Sequence, residues 1–235
     1  MKLNSNIKTA IRVAKIELNS MFYSPVAWLV LVIFGFQIGM SFAQIYGEQL
    51  RYQDMGYDLW SVTSGVYTGM RGILPPIQRY IYLYIPLITM GLMSREYQSG
   101  SIKLLYSSPV KNTSIIIGKF LSMMVYGGAL IAVLGVFVIF SAITIVNFDY
   151  PLVLSGMLGL YLLILAYSAI GLFMSSITKY QVVAAIGTLA VLAVLNFIGD
   201  VGQDYDLVRH ITYWLSITGR AYPFIDGLIA SDNIF

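Results

Sequence analysis

A polytopic α-helical membrane protein is the fold class predicted by three features of the sequence. Its 235 residues are 58% hydrophobic and only 11% charged, with a mean hydropathy of +0.77, whereas a soluble domain carries roughly 25% charge. Uncharged apolar runs of about 20 residues recur along it, the length that crosses about 30 Å of hydrocarbon. Those runs do not alternate in segments of about 10 residues, as the strands of a membrane barrel would. Cysteine is absent, which excludes disulfide and thiol chemistry.

The chain is read as one transmembrane domain, 1–235, beginning with an amphipathic interfacial helix over 1–24. Ile7, Ile11, Ala14, Leu18 and Met21 share one face at helical spacing, and Lys8, Arg12, Lys15 and Asn19 form a stripe about a quarter-turn or more away. Such a helix suits the headgroup boundary, its cations toward anionic lipid. No small-residue cleavage site follows the first apolar run, so the segment does not read as a cleaved signal.

Pro25 opens a first span, 25–45, without a charge, flanked by Phe22, Tyr23 and Trp28 as interfacial aromatics. Polar side chains within a span more often join helices than meet a substrate. Gln37 and Gln44, with Asn196 of the last span, are the candidates for lining a pathway. Residues 46–74 are polar and rich in Tyr and Gly, with Glu48, Arg51, Asp54, Asp58 and Arg71, and are too long for a tight turn. They predict short helices outside the membrane. A second span, 75–93, starts at Pro75–Pro76 and carries Arg79 about one turn inside. A central arginine costs about 2.5–3.5 kcal/mol on the insertion scale, but near an edge it snorkels outward.

The polar stretch 94–119 separates this span from three more, 120–146, 152–174 and 182–198, none of which holds a charged residue. The short turns N-F-D-Y-P and S-S-I-T-K-Y join them. Gly127, Gly128, Gly135, Gly156, Gly159, Gly171 and Gly187 lie inside these spans, and small residues let helix backbones approach closely in lipid. Residues 199–235 combine Asp200, Asp204 and Asp206 with apolar pieces too short to span. They predict outer interfacial or re-entrant helices.

Five spans in series put the N-terminus, 94–119 and 175–180 on one side. That side holds all seven lysines with Arg12 and Arg95, against Glu17 and Glu96 alone; the other holds five arginines against nine acids. Lysine and arginine accumulate on the cytoplasmic side, so the N-terminus and the 94–119 loop are expected there. The C-terminus would then lie outside, and a sixth span, in this protein or supplied by a partner chain, is expected beyond Phe235.

An enzymatic reading finds little support. His210 is the only histidine, and neither G-x-S-x-G nor H-E-x-x-H occurs. Gly118-Lys119-Phe120 lacks the other residues of a phosphate-binding loop, so no means of ATP hydrolysis is visible. No ionisable group marks the middle of a span, where an ion-coupled transporter would keep one. The driving energy is therefore expected from a partner.

The loop offers a short helix starting around Ser99 or Ser101, whose hydroxyls can cap it. Ile102, Leu104 and Leu105 give it apolar surface, and Pro109 ends it. The run E-Y-Q-S-G-S-I-K-L-L-Y-S-S-P-V, followed by I-I-I-G-K-F, resembles the ABC-2 family of ABC transporter permeases. The family pattern is roughly E-x-x-x-G-T-x-E-L-L-x-x-[ST]-P-[VI], with a later G-K. Glu96, Gly100, Leu104, Leu105, Ser108, Pro109, Gly118 and Lys119 match it. Ser101 stands where Thr is usual, and Lys103 reverses the charge of a common Glu. Among the family's varieties, the chain is most similar to permeases associated with gliding motility.

The resemblance implies a bacterial inner-membrane protein that pairs with a second permease and binds an ABC ATPase subunit. ATP and Mg would be held by that ATPase, with no cofactor bound by this chain and no nucleic acid involved. Glu96, Gly100, Ser101, Leu104, Leu105 and Pro109 would form the coupling helix, braced by the helix of Lys8, Arg12 and Lys15. The function implied is ATP-driven export. The alternative is a membrane anchor that transmits ATPase work to an extracytoplasmic subunit without moving cargo.

Overall fold

The computed structural model describes residues 2–55, 62–68, 72–107, 110–145, 147–198 and 219, leaving aside the side chains of 2–5, 50, 53, 54 and 104–106. All regular structure among the described residues is helical: α1 (Lys2–Tyr23), α2 (Pro25–Asp54), α3 (Val62–Tyr67), α4 (Leu74–Thr89), α5 (Ser94–Ser99), α6 (Ile102–Ser107), α7 (Asn112–Thr144), α8 (Tyr150–Ile177) and α9 (Gln181–Phe197). Three of these, α2, α7 and α8, are long and apolar enough to cross a membrane, and α9 is a shorter apolar helix. The expected outer segment, 199–235, lies outside the described residues apart from Gly219.

Sequence punctuation accounts for the helix starts. Pro25 is the first residue of α2 and Pro75 and Pro76 lie in the first turn of α4, where proline's missing N–H is harmless. At the break between α1 and α2, Ser24 Oγ accepts from Val26 N at 3.3 Å and Trp28 Nε1 donates to the Phe22 carbonyl at 2.8 Å.

Helix ends differ from the expected spans because polarity marks the edge of the membrane and not the end of a helix. α2 continues past residue 45 to Asp54, and α7 begins at Asn112, so Gly118 and Lys119 are helical. Ser175 and Ser176, expected in a turn, belong to the last turn of α8. α4 instead stops early, at Thr89, and residues 90–93 form a turn before α5.

The chain divides into two compact units, and α2, α4, α7, α8 and α9 each contribute to both. One unit contains α1, the start of α2 to Val30, Tyr82–Ala129 and Ile164–Ala193. Its core includes Ile85, Leu92, Met123, Tyr126 and Ala184, and Tyr126 Oη donates to the Ala27 carbonyl at 2.7 Å. A Cβ placed on Gly171 would lie 2.7 Å from Thr89 Cβ. This is the close helix packing that the glycines predict; Gly128, by contrast, faces open space.

The other unit contains Leu31–Ile81, Leu130–Leu163 and the end of α9 from Val194. Tyr67 of α3 is fully buried there, its hydroxyl donating to Ser141 Oγ at 2.8 Å with the Phe137 carbonyl 3.2 Å away. Burial pushes the Tyr67 phenol up to about 12, against the lowering effect of the Ser141 bond. Asp149 N donates to Thr63 Oγ1 at 3.3 Å, tying the start of α8 to the same short helix.

Candidate functional site at the 94–119 loop

In the first unit, α1, α5 and α7 converge on one ammonium group. Lys119 of α7 is 1% exposed. Its Nζ lies 3.0 Å from Glu17 Oε2 of α1 and 2.7 Å from Glu96 Oε1 of α5. The same nitrogen donates to the Leu92 carbonyl in the turn that precedes α5. An ion taken from water costs several kcal/mol unless paired and hydrogen-bonded, and here two carboxylates and a carbonyl meet that requirement. Glu96 Oε2 is buried and has no hydrogen-bond partner among the described residues.

Glycine makes this convergence possible. A Cβ on Gly118 would sit 2.7 Å from the Ala10 carbonyl oxygen and 2.7 Å from Val13 Cβ. Backbone and Cβ atoms cannot swing aside, so only glycine allows α7 this close to α1. The next residue, Lys119, then reaches Glu17.

The buried side of α1 contains Ala10 and Met21, with Val13 and Glu17 partly covered between them, while Ile7 and Ile11 are 53% and 56% exposed. Of the apolar stripe, Met21 is buried and Ala14 and Leu18 are half-buried, while Ile7 and Ile11 point away from the packed side. In lipid, helices gain little by hiding isoleucine and associate through small residues, so Ala10 faces Gly118 and the isoleucines face outward. Lys8, Arg12 and Lys15 are exposed.

α5 is held at its start by a helix far away in sequence. Its N-cap, Met93, makes no side-chain cap of its own. Ser175 Oγ of α8 instead accepts from Met93 N at 3.0 Å and Ser94 N at 3.1 Å, and donates to the Met90 carbonyl at 2.9 Å. Two N–H groups that a helix start leaves open are thus satisfied by α8. Arg95 of α5 reaches α1, donating from Nη1 to Ser20 Oγ at 2.6 Å.

At its other end α5 stops at Gly100, whose φ of 73° and N–H bond to the Tyr97 carbonyl make a left-handed C-cap. The backbone restarts at once as α6, anchored by buried Ile102, and the turn between them carries a Ser99–Ser101 hydroxyl contact. The helix expected to start around Ser99 or Ser101 is α6, and α5 is a second short helix that precedes it across Gly100. Gly100, Ser101 and Lys103 are exposed. Leu104 and Leu105 lie on the α6 backbone with side chains outside the described residues, as Ser108 and Pro109 are altogether.

The candidate pathway residues belong to the other unit. Asn196 Nδ2 donates to the Arg79 carbonyl at 3.3 Å, a helix-joining role. Gln37 is half-buried and Gln44 exposed on α2. Glu17 and Ser175 were not singled out by the sequence. The signal for Glu17 was an acid in line with Ala10, Val13 and Met21 at helical spacing; Ser175 offers none, because its partners are 81 and 82 residues away.

The family model described as ABC-2 family transporter protein matches residues 11–203. The chain belongs to the ABC-2 transporter family. The matched region includes α5, α7 and α1 from Ile11 onward, and so all three charged residues of the cluster, Glu17, Glu96 and Lys119. Membership makes this protein a multi-pass membrane permease component and implies an ATPase partner in general terms; it does not single out the gliding-motility variety. No curated protein and no solved structure matches the chain.

Proposed function

We propose that this permease is the transmembrane subunit of an ATP-driven ABC-2 exporter in the bacterial inner membrane. In this reading its N-terminus and the α5–α6 hairpin face the cytoplasm, a separate ATPase docks on α6, and a second permease completes the transmembrane part. ATP and Mg belong to the ATPase. Five helices, α2, α4, α7, α8 and α9, would cross the membrane.

The observation that supports this reading best is the Lys119 cluster. Load applied to α6 passes through the Gly100 turn into α5. There Glu96 is tied to Lys119 and the start of α5 to Ser175, so the load reaches α7 and α8 directly. Glu17 adds α1 to the same rigid piece. Glu96 is then a positioning residue that holds the docking helix, and Leu104 and Leu105 are the residues for the ATPase groove.

The test is Leu104→Asp with Leu105→Asp in the full chain co-expressed with its ATPase. Membrane insertion is expected to persist while co-purification of the ATPase is lost. Undiminished co-purification would refute docking at α6.

A further inference from the structure

The first unit contains a cavity of about 200 Å³ lined by Met21, Ser24, Val26, Ala27, Leu87, Ile88, Met90, Gly91, Arg95 and Gln181. Six of these have apolar side chains, and Arg95 is the single formal charge among them. Leu87 and Arg95 both line the cavity and are both exposed. Beside it, Tyr23 is 89% exposed and Trp28 55%. Exposed aromatics at a helix break mark the level of lipid headgroups.

We propose that this cavity binds the headgroup of an anionic phospholipid. Its volume is below the roughly 300–1,000 Å³ typical of sites that enclose a whole small molecule, but it suits a phosphodiester whose acyl chains lie outside against Leu87. Arg95 spends one hydrogen bond on Ser20, of the five donors a guanidinium offers, and its planar fork matches a phosphate. Ser24 and Gln181 are the other polar residues of the lining, Ser24 Oγ accepting from Val26 N and Gln181 Nε2 donating to Gln98 Oε1 at 3.4 Å. Basic pockets between helices at the cytoplasmic face take anionic headgroups by this chemistry. Free phosphate would leave the six apolar side chains of the lining uncovered, which is why lipid is the occupant. Because Arg95 adjoins Glu96 on α5, a bound lipid would touch the element that Lys119 holds. The inference rests on membrane embedding and on the cytoplasmic orientation proposed above, not on export.

Native mass spectrometry tests it on the full chain purified with its ATPase, titrated with dioleoylphosphatidylglycerol, dioleoylphosphatidylcholine or inorganic phosphate. Phosphatidylglycerol is expected to be retained in preference to phosphatidylcholine, and phosphate alone is not. Arg95→Gln should weaken phosphatidylglycerol by about fivefold, the ~1 kcal/mol that one basic side chain contributes at an anionic surface. Ser20→Ala, which frees Arg95 from its tie to α1, should not weaken it. Leu87→Trp, at an exposed position, should lower retention of both lipids by crowding the lining. The proposal is overturned if Arg95→Gln leaves phosphatidylglycerol retention unchanged, if Ser20→Ala lowers it equally, or if inorganic phosphate binds as well as lipid. Loss of the ATPase from Arg95→Gln with lipid retention intact would also overturn it, assigning Arg95 to a carboxylate of the partner.

Discussion

Lys119 Nζ on α7 and Glu96 Oε1 on α5 are 2.7 Å apart, so two positions of the family's loop pattern are partners in one buried ion cluster. Removing the cation would leave Glu17 and Glu96 facing each other without compensation. Breaking a buried pair from one side costs about 3–5 kcal/mol. Lys119→Met is therefore expected to lower the thermal midpoint of the purified protein well below that of Glu17→Gln, which leaves the Lys119–Glu96 pair intact. Equal midpoints for Lys119→Met and wild type would show that the cluster does not hold the loop.

Ser175→Ala removes the oxygen that caps α5 from α8. Loss of a helix cap costs about 0.5–2 kcal/mol, and the effect should be local. Hydrogen exchange at Met93 and Ser94 is expected to rise while exchange in the middle of α8 stays unchanged. Uniform protection in the variant would mean that water replaces the cap without loss.

Gly118→Ala places a Cβ against the Ala10 carbonyl oxygen and Val13 Cβ. The expected result is separation of α1 from α7, read as faster proteolysis of the N-terminal helix, at a cost of about 1–3 kcal/mol for overpacking. Gly100→Ala instead meets no neighbour, but its φ of 73° is left-handed. That change should cost about 1–2 kcal/mol through the backbone alone, without exposing α1 to protease.

Tyr67 gives a pH signature in the second unit. Burial pushes its phenol up to about 12, above an ordinary value of about 10. The folded state thus holds the proton more tightly than the unfolded state. Its contribution is complete below about pH 10 and is lost as pH rises toward the folded value. Wild type should lose stability across that window more steeply than Tyr67→Phe, which at neutral pH should be weaker by about 1 kcal/mol for the bond to Ser141. Parallel pH profiles for the two proteins would contradict this.

Much of the fold was legible because the membrane writes length and charge into the sequence. The apolar runs located α2, α7 and α8, and Pro25 and Pro75 marked helix starts. Hydropathy could not show that α7 begins at Asn112, because a helix continues into water past the bilayer edge. The loop pattern pointed to Glu96 and Lys119 separately; their contact depends on a turn over 90–93 that polarity does not encode. The apolar stripe of α1 did not show what the helix packs against, since Ile7 and Ile11 are exposed. Gly118 and Ala10 carried the better signal for what α1 packs against, and Glu17 lies on that side.

The central claim is that α5 and α7 move as one piece through Lys119 when the ATPase acts. The chain has no cysteine, so Gln98→Cys on α5 and Asn112→Cys on α7, both exposed in the native protein, admit a single pair of spin labels. Pulsed electron paramagnetic resonance on the permease–ATPase complex measures their separation in nucleotide-free and vanadate-trapped states. The separation is expected to be narrow and the same in both states, and to broaden when Lys119→Met is added. A separation that changes between the two states with Lys119 in place, or that stays narrow without it, would contradict the claim.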